Sequence, residues 1–152
     1  MKYLNVLLLG FTLISIGACK SAKKLPKTVS IYFQQTACFG ACPIHKMTIG
    51  TNGSIAYEGE RFTKKLGSYS KQLDEKETKE LFDLFEKQDW NGFKSEYPTN
   101  YSDLPSTVIR FKFKDTDKKV IITGEHPDNL DVLVQRLSQI AESDGWTNLN
   151  LE

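Results

Sequence analysis

The sequence predicts an α+β domain, an antiparallel sheet with two helices packed on one face. Three observations carry that expectation. Apolar and polar residues alternate with a period of two from Val29 and again from Thr107, the pattern of half-buried strands. Asn52-Gly53 stands between two such runs and is the strongest short hairpin signal, because both turn residues need positive φ. Two segments with apolar residues at helical spacing, Thr78–Phe85 and Leu130–Ala141, each follow a set of strands. The order strands, helix, strands, helix, with a tryptophan after each helix at Trp90 and Trp146, fits either two degenerate halves or an ordinary α+β domain without duplication.

A chain of 152 residues, 39% hydrophobic and 26% charged, suits one folded domain with its own core. Lys and Arg number 20 against 19 Asp and Glu, a balance that argues against a nucleic-acid binder, which needs a basic excess.

The first element is an address. Lys2 is the only charge before Cys19, and the residues between are strongly apolar. A positive start, a short apolar run and small residues at its end read as a secretory signal over residues 1–18. The run falls short of the roughly 20 apolar residues a spanning helix needs. Its end, Ile16-Gly17-Ala18-Cys19, resembles the bacterial lipobox. That resemblance implies diacylglyceryl transfer to the Cys19 sulfur, cleavage before it and acylation of the new amino terminus. Several acyl chains anchor stably where one does not, so the first expected partner is a membrane. Residues 19–27, with Lys20, Lys23, Lys24 and Lys27, read as a basic tether, and residues 28–150 as the single domain. Cleavage after residue 18 removes Lys2 and no acid, leaving a neutral domain with no long-range steering field. Lys20 is not the aspartate that retains some bacterial lipoproteins in the inner membrane. The expected location is therefore the outer membrane, with the domain facing the periplasm.

The strands and helices follow in order. Val29, Ile31 and Phe33 alternate with polar residues, and Met47 and Ile49 resume the pattern after a cysteine-bearing loop. Ile55 and Tyr57 form the return strand of the Asn-Gly hairpin, which Gly59 should end. Arg61–Lys64 and Ser68–Leu73 read as further strand. Asp74 and Glu77 form a capping box at the start of a helix that should end near Asp89. Asn91–Ser106 is a long loop, of the kind that is functional or mobile. Thr107–Phe113 and Val120–Thr123 are the next strands, joined by a turn at Asp115-Thr116-Asp117. Pro127 takes the first position of the second helix and Gly145 caps its end. The sheet face away from the helices should carry Tyr32, Lys46, Thr48, Arg110 and Lys112 and face solvent.

Cys38-Phe39-Gly40-Ala41-Cys42-Pro43 is the one unusual local feature. In an exported protein a disulfide between Cys38 and Cys42 is the default, and so short a loop gains only about 2 kcal/mol from chain entropy. Two functional alternatives use the same cysteines. Thiol-redox chemistry normally spaces its pair by two residues at the start of a helix, whereas a strand follows Pro43. Soft-metal binding, copper above all, finds four ligands in Cys38, Cys42, His45 and Met47. Cys-x-x-x-Cys-Pro is also the motif of the Sco-type copper chaperones, whose distant histidine His126 would imitate, but those proteins follow the motif with a helix.

From Val29 to Trp146 the chain resembles a bacterial family of domains of unknown function. The resemblance rests on Cys38, Phe39, Gly40, Cys42 and Pro43, on Asn52-Gly53, on Tyr57-Glu58-Gly59 and on Asp103-Leu104-Pro105 between two helices. It implies a domain often carried by lipoproteins and brings no activity with it. The family commonly has tyrosine where this chain has His45, which weighs against a metal site shared through that residue.

The sequence holds no nucleophile elbow and no phosphate-binding glycine loop, so no catalytic residue and no cofactor is expected. The reading is a membrane-anchored lipoprotein of the cell envelope that acts as a non-enzymatic binding or interaction module. Its partner would be an envelope protein or a small ligand, met on the polar sheet face and on a loop carrying Tyr97, Tyr101 and Asp103. The alternative is the copper or thiol-redox protein.

Overall fold

The computed structural model describes residues 30–150. The signal at residues 1–18, the lipidation residue Cys19 and the tether at 19–27 lie outside the described residues. The elements run β1 (Ser30–Gln35), β2 (Ile44–Gly50), β3 (Ser54–Arg61), β4 (Gly67–Gln72), α1 (Glu75–Glu86), β5 (Glu96–Tyr97), β6 (Thr107–Phe113), β7 (Thr116–Ile122), α2 (Asp128–Glu142) and β8 (Thr147–Asn148). The class is α+β. All eight strands join one sheet in the order β5-β7-β6-β1-β2-β3-β4-β8. Every pairing is antiparallel except β5 with β7, so the sheet is mixed rather than purely antiparallel.

Period-two alternation becomes burial on one face. Ile31 pairs with Ile49 and Phe111, and Phe33 with Met47 and Ile109. Met47 in turn faces Tyr57, and Ile109 faces Val120. Directly opposed residues share a face, and these eight side chains are almost wholly buried. Leu81, Phe82 and Phe85 of α1 join the same core cluster, as do Leu130, Leu133, Leu137 and Ile140 of α2. The Phe85 ring centroid lies 5.5 Å from that of Phe111, which ties α1 to β6.

The helix signals are borne out at one end and shifted at others. At the start of α1, the Glu77 N–H donates to Asp74 Oδ1 at 2.7 Å and the Asp74 N–H donates to Glu77 Oε2 at 3.2 Å, the expected capping box. The helix stops at Glu86 rather than near Asp89. The Trp90 indole N–H donates to the Phe85 carbonyl at 2.7 Å, satisfying a group that another helical turn would have used. Pro127 stands just outside α2 as its N-cap, with extended ψ of 142°, instead of being its first residue.

Strand limits move for backbone reasons. The hairpin forms, but its loop is the three residues Thr51, Asn52 and Gly53, and of these only Gly53 takes positive φ, 75°, whereas the Asn-Gly signal implies it at both Asn52 and Gly53. β3 continues through Gly59 to Arg61, and beyond Arg61 the expected strand at Arg61–Lys64 is instead a bend in which Phe62 takes φ of 56°. Lys114 takes φ of 51°, tightening the next hairpin so that β7 starts at Thr116 instead of Val120. The long loop contains β5, and the tail after α2 adds β8; each is a two-residue strand that shortens an exposed sheet edge.

Candidate functional site

Alternation sends the intervening residues of every strand to the opposite face. One row of cross-strand neighbours runs Lys119, Arg110, Tyr32, Thr48, Ala56, Ser70 and Thr147 across seven strands. None of these side chains is fully buried. Tyr32, Lys46, Thr48, Arg110 and Lys112 lie together on this face, as their alternation implies. Lys46 pairs with Glu58 across β2 and β3 at 2.8 Å. Arg110 donates through Nε and Nη2 to the two oxygens of Asp117 at 2.7 and 2.8 Å, holding that carboxyl below its usual range. The Tyr32 hydroxyl donates to Gln34 Oε1 at 2.8 Å, and burial raises the pKa of this phenol. Around Tyr32 the β1–β6–β7 part of the face forms a concavity of about 400 Å³, which Gln34 and Lys119 also line. Those two residues escape the sequence reading. Lys119 escapes because the apolar run from Val120 hides the polar start of β7, and Gln34 because its position at the end of the first strand pattern leaves its neighbours across the sheet unspecified.

The cysteine loop lies at one end of the sheet. Cys38 and Cys42 stand at disulfide distance, with Cα atoms 5.7 Å apart. The loop leaves Phe39 90% exposed. Its N–H donates to the Asp103 carbonyl at 3.2 Å, and Thr36 and Ser106 bond reciprocally at 3.0 and 2.9 Å. Asp103 of the candidate loop is thereby brought beside the cysteine motif, while Tyr101 projects at 75% exposure. Tyr97 does not belong to that surface. It is 7% exposed in β5 and its hydroxyl accepts from the Lys94 N–H at 3.1 Å, so it packs the loop onto the core rather than meeting a partner.

The four soft ligands separate in role. Met47 is 1% exposed within the core cluster, facing Phe33 and Tyr57 across the sheet. No group of three or more His, Cys, Asp and Glu side chains has metal-binding spacing among the described residues. His45 is also buried. Its Nε2–H donates to Gln35 Oε1 at 3.0 Å, its ring stacks on Tyr57 at 5.3 Å, and its Nδ1 is enclosed without a partner among the described residues. Burial, with Lys65 nearby, lowers its pKa against the weaker pull of Glu142. His126 lies elsewhere and differs. Burial pulls its pKa down, but bonds to the Gly124 carbonyl and to Asp131 outweigh it and raise the net value.

A histidine kept neutral by the fold costs stability once acid would protonate it in the unfolded chain. The His45 contribution is constant above its ordinary value of 6.5 and turns against the fold as pH drops below it, whereas His126 acts in the opposite sense. His45→Phe removes the enclosed nitrogen together with one hydrogen bond. Its unfolding midpoint should match the wild type to within about 1 kcal/mol at pH 7.5. At pH 5 the variant should be the more stable. The His126 effect is common to both proteins and cancels, so an unchanged difference between the two melting curves refutes this account of His45.

A comparison with curated proteins finds no match. A comparison with known families matches residues 29–141 to DUF6438, a domain of unknown function. That match covers most of the chain, including all the strands of the polar face except β8, so the chain belongs to the DUF6438 family.

Proposed function

We propose that this protein is a lipid-anchored component of the bacterial cell envelope and that its domain is a non-enzymatic binding module using the uncovered sheet face. The observation that carries the binding role is the polar row from Lys119 to Thr147, which spans the sheet on the side away from the core cluster. Both helices would cover the other face. Phe85 of α1 meets Phe111 there, and the end of α2, at Ala141 and Glu142, lines a cavity with His45 and Tyr57, which by register share that face. Anchoring is supported by Ile16-Gly17-Ala18-Cys19 and by the pairing of the other two cysteines.

Ala56 is exposed at the middle of the polar row, and Val132 is half-exposed on α2. In cells lacking the protein, wild type and Val132→Arg should restore whatever envelope trait the deletion removes. Ala56→Arg should fold but fail to restore it, and Cys19→Ser should leave the membrane fraction. Full complementation by Ala56→Arg overturns the binding surface, and membrane retention of Cys19→Ser overturns the anchor.

A further inference from the structure

We propose that the concavity on the uncovered sheet face binds a phosphate monoester, carried by a sugar or by a lipid headgroup, between Arg110, Lys112 and Lys119. The inference rests on the binding role proposed above and names the ligand chemistry.

Its starting point is an unfavourable pairing. Register places Arg110 directly opposite Lys119, and like charges in that position repel. Arg110 leans away to Asp117 and occupies both of its carboxylate oxygens, while Lys112 reaches Asp117 Oδ2 at 3.8 Å. The one carboxylate of the cluster is thus committed, and Lys119 makes no ion pair among the described residues. A group carrying about two negative charges, as a phosphate monoester does near neutral pH, matches the remaining excess of positive charge and relieves the repulsion. Arg110 Nη1 makes no bond to Asp117 and keeps its N–H groups for a ligand, so a planar donor and two ammonium groups converge on one volume.

The floor adds neutral recognition. The Tyr32 hydroxyl donates to Gln34 Oε1, which orients the amide and frees its NH2 to donate into the cavity together with the Thr48 hydroxyl. The half-buried ring of Tyr32 offers a flat surface to the carbon skeleton that bears the phosphate. A volume of about 400 Å³ lies within the range of small-molecule sites.

The test uses the full-length protein in a nonionic detergent at constant ionic strength. Glucose 6-phosphate and dihexanoyl phosphatidic acid are the probes, glucose is the uncharged control, and backbone amide shifts are the readout. Saturable shifts confined to β1, β2, β6 and β7 are expected with at least one phosphate probe and none with glucose; the tighter probe identifies the sugar or the lipid source. Lys119→Glu should weaken binding at least tenfold, and Lys64→Glu, away from this cavity, should not. Lys112→Gln is a second variant that removes a charge without reversing one. No saturable shift with either phosphate probe overturns the proposal, as does undiminished binding by both Lys119→Glu and Lys112→Gln. If the phosphate probes fail while Ala56→Arg still abolishes complementation, the phosphate assignment falls and the binding surface stands.

Discussion

Gly59→Ala should destabilise the domain by about 3 kcal/mol or more, read as a lower midpoint of urea or thermal unfolding. A Cβ at this position would stand 1.7 Å from the Lys65 carbonyl oxygen and 2.9 Å from its carbonyl carbon. Both are backbone atoms, so no flexible side chain can swing aside. The backbone is itself held. Phe62 turns the chain at φ of 56°, and the Tyr57 and Thr63 hydroxyls are 2.7 Å apart in a hydrogen bond that closes the turn over β3. Gly59 also pairs with His45 on one side and Gly67 on the other, so β3 cannot retreat without breaking two ladders. Gly40→Ala is the control. Its Cβ would meet nothing nearer than Cys38 Sγ at 3.7 Å, and its midpoint should stay within about 0.5 kcal/mol of wild type. Equal midpoints for Gly59→Ala and Gly40→Ala would remove the steric explanation.

Gly59 also shows where sequence patterning stops. A glycine after a strand pattern reads as its end, because nothing local announces that a later segment folds back onto it. Strands β1, β2, β3 and β6 and both helices were legible because their periodicity comes from burying one face, a property each segment carries alone. β5 and β8 were not. Two-residue strands have no period, and they exist because Glu96–Tyr97 and Thr147–Asn148 meet edges presented by β7 and β4. Tyr97 misled for a related reason. An aromatic residue on a polar loop looks available for recognition until tertiary contacts bury it.

Much of the polar face was legible by the same logic that located the core, since alternation assigns both faces at once. The opposition of Arg110 and Lys119 was not, because it depends on the register set by the Lys114 turn. A single positive φ at a non-glycine residue moved the start of β7 by four residues and brought Lys119 into the face. The proximity of the cysteine loop to Asp103 was likewise hidden, since it is made by backbone hydrogen bonds between residues more than sixty positions apart.

Phe111→Ala should cost about 3–5 kcal/mol, the range for deleting a large buried aromatic side chain. Phe111 is at the centre of an aromatic cluster, with ring centroids 5.1 Å from Trp90, 5.5 Å from Phe85 and 5.9 Å from Phe113. Truncation would leave a void between β6, α1 and the chain around Trp90, and close packing would let that void collapse only in part. Trp90 makes the measurement direct, because loss of its stacking partner should change its fluorescence in the native state as well as at the unfolding midpoint. The same residue bears on the polar face. Arg110 and Lys112 flank Phe111 in β6 and point the other way, so the buried ring fixes the strand that aims them. Lys119→Glu should behave oppositely, replacing a like-charge pair with an opposite-charge pair and preserving or raising stability by about 0.2–1 kcal/mol. One substitution would weaken the fold beneath the site, and the other would weaken the site without weakening the fold. If both lowered stability alike, the electrostatic reading of the Arg110–Lys119 pair would be wrong.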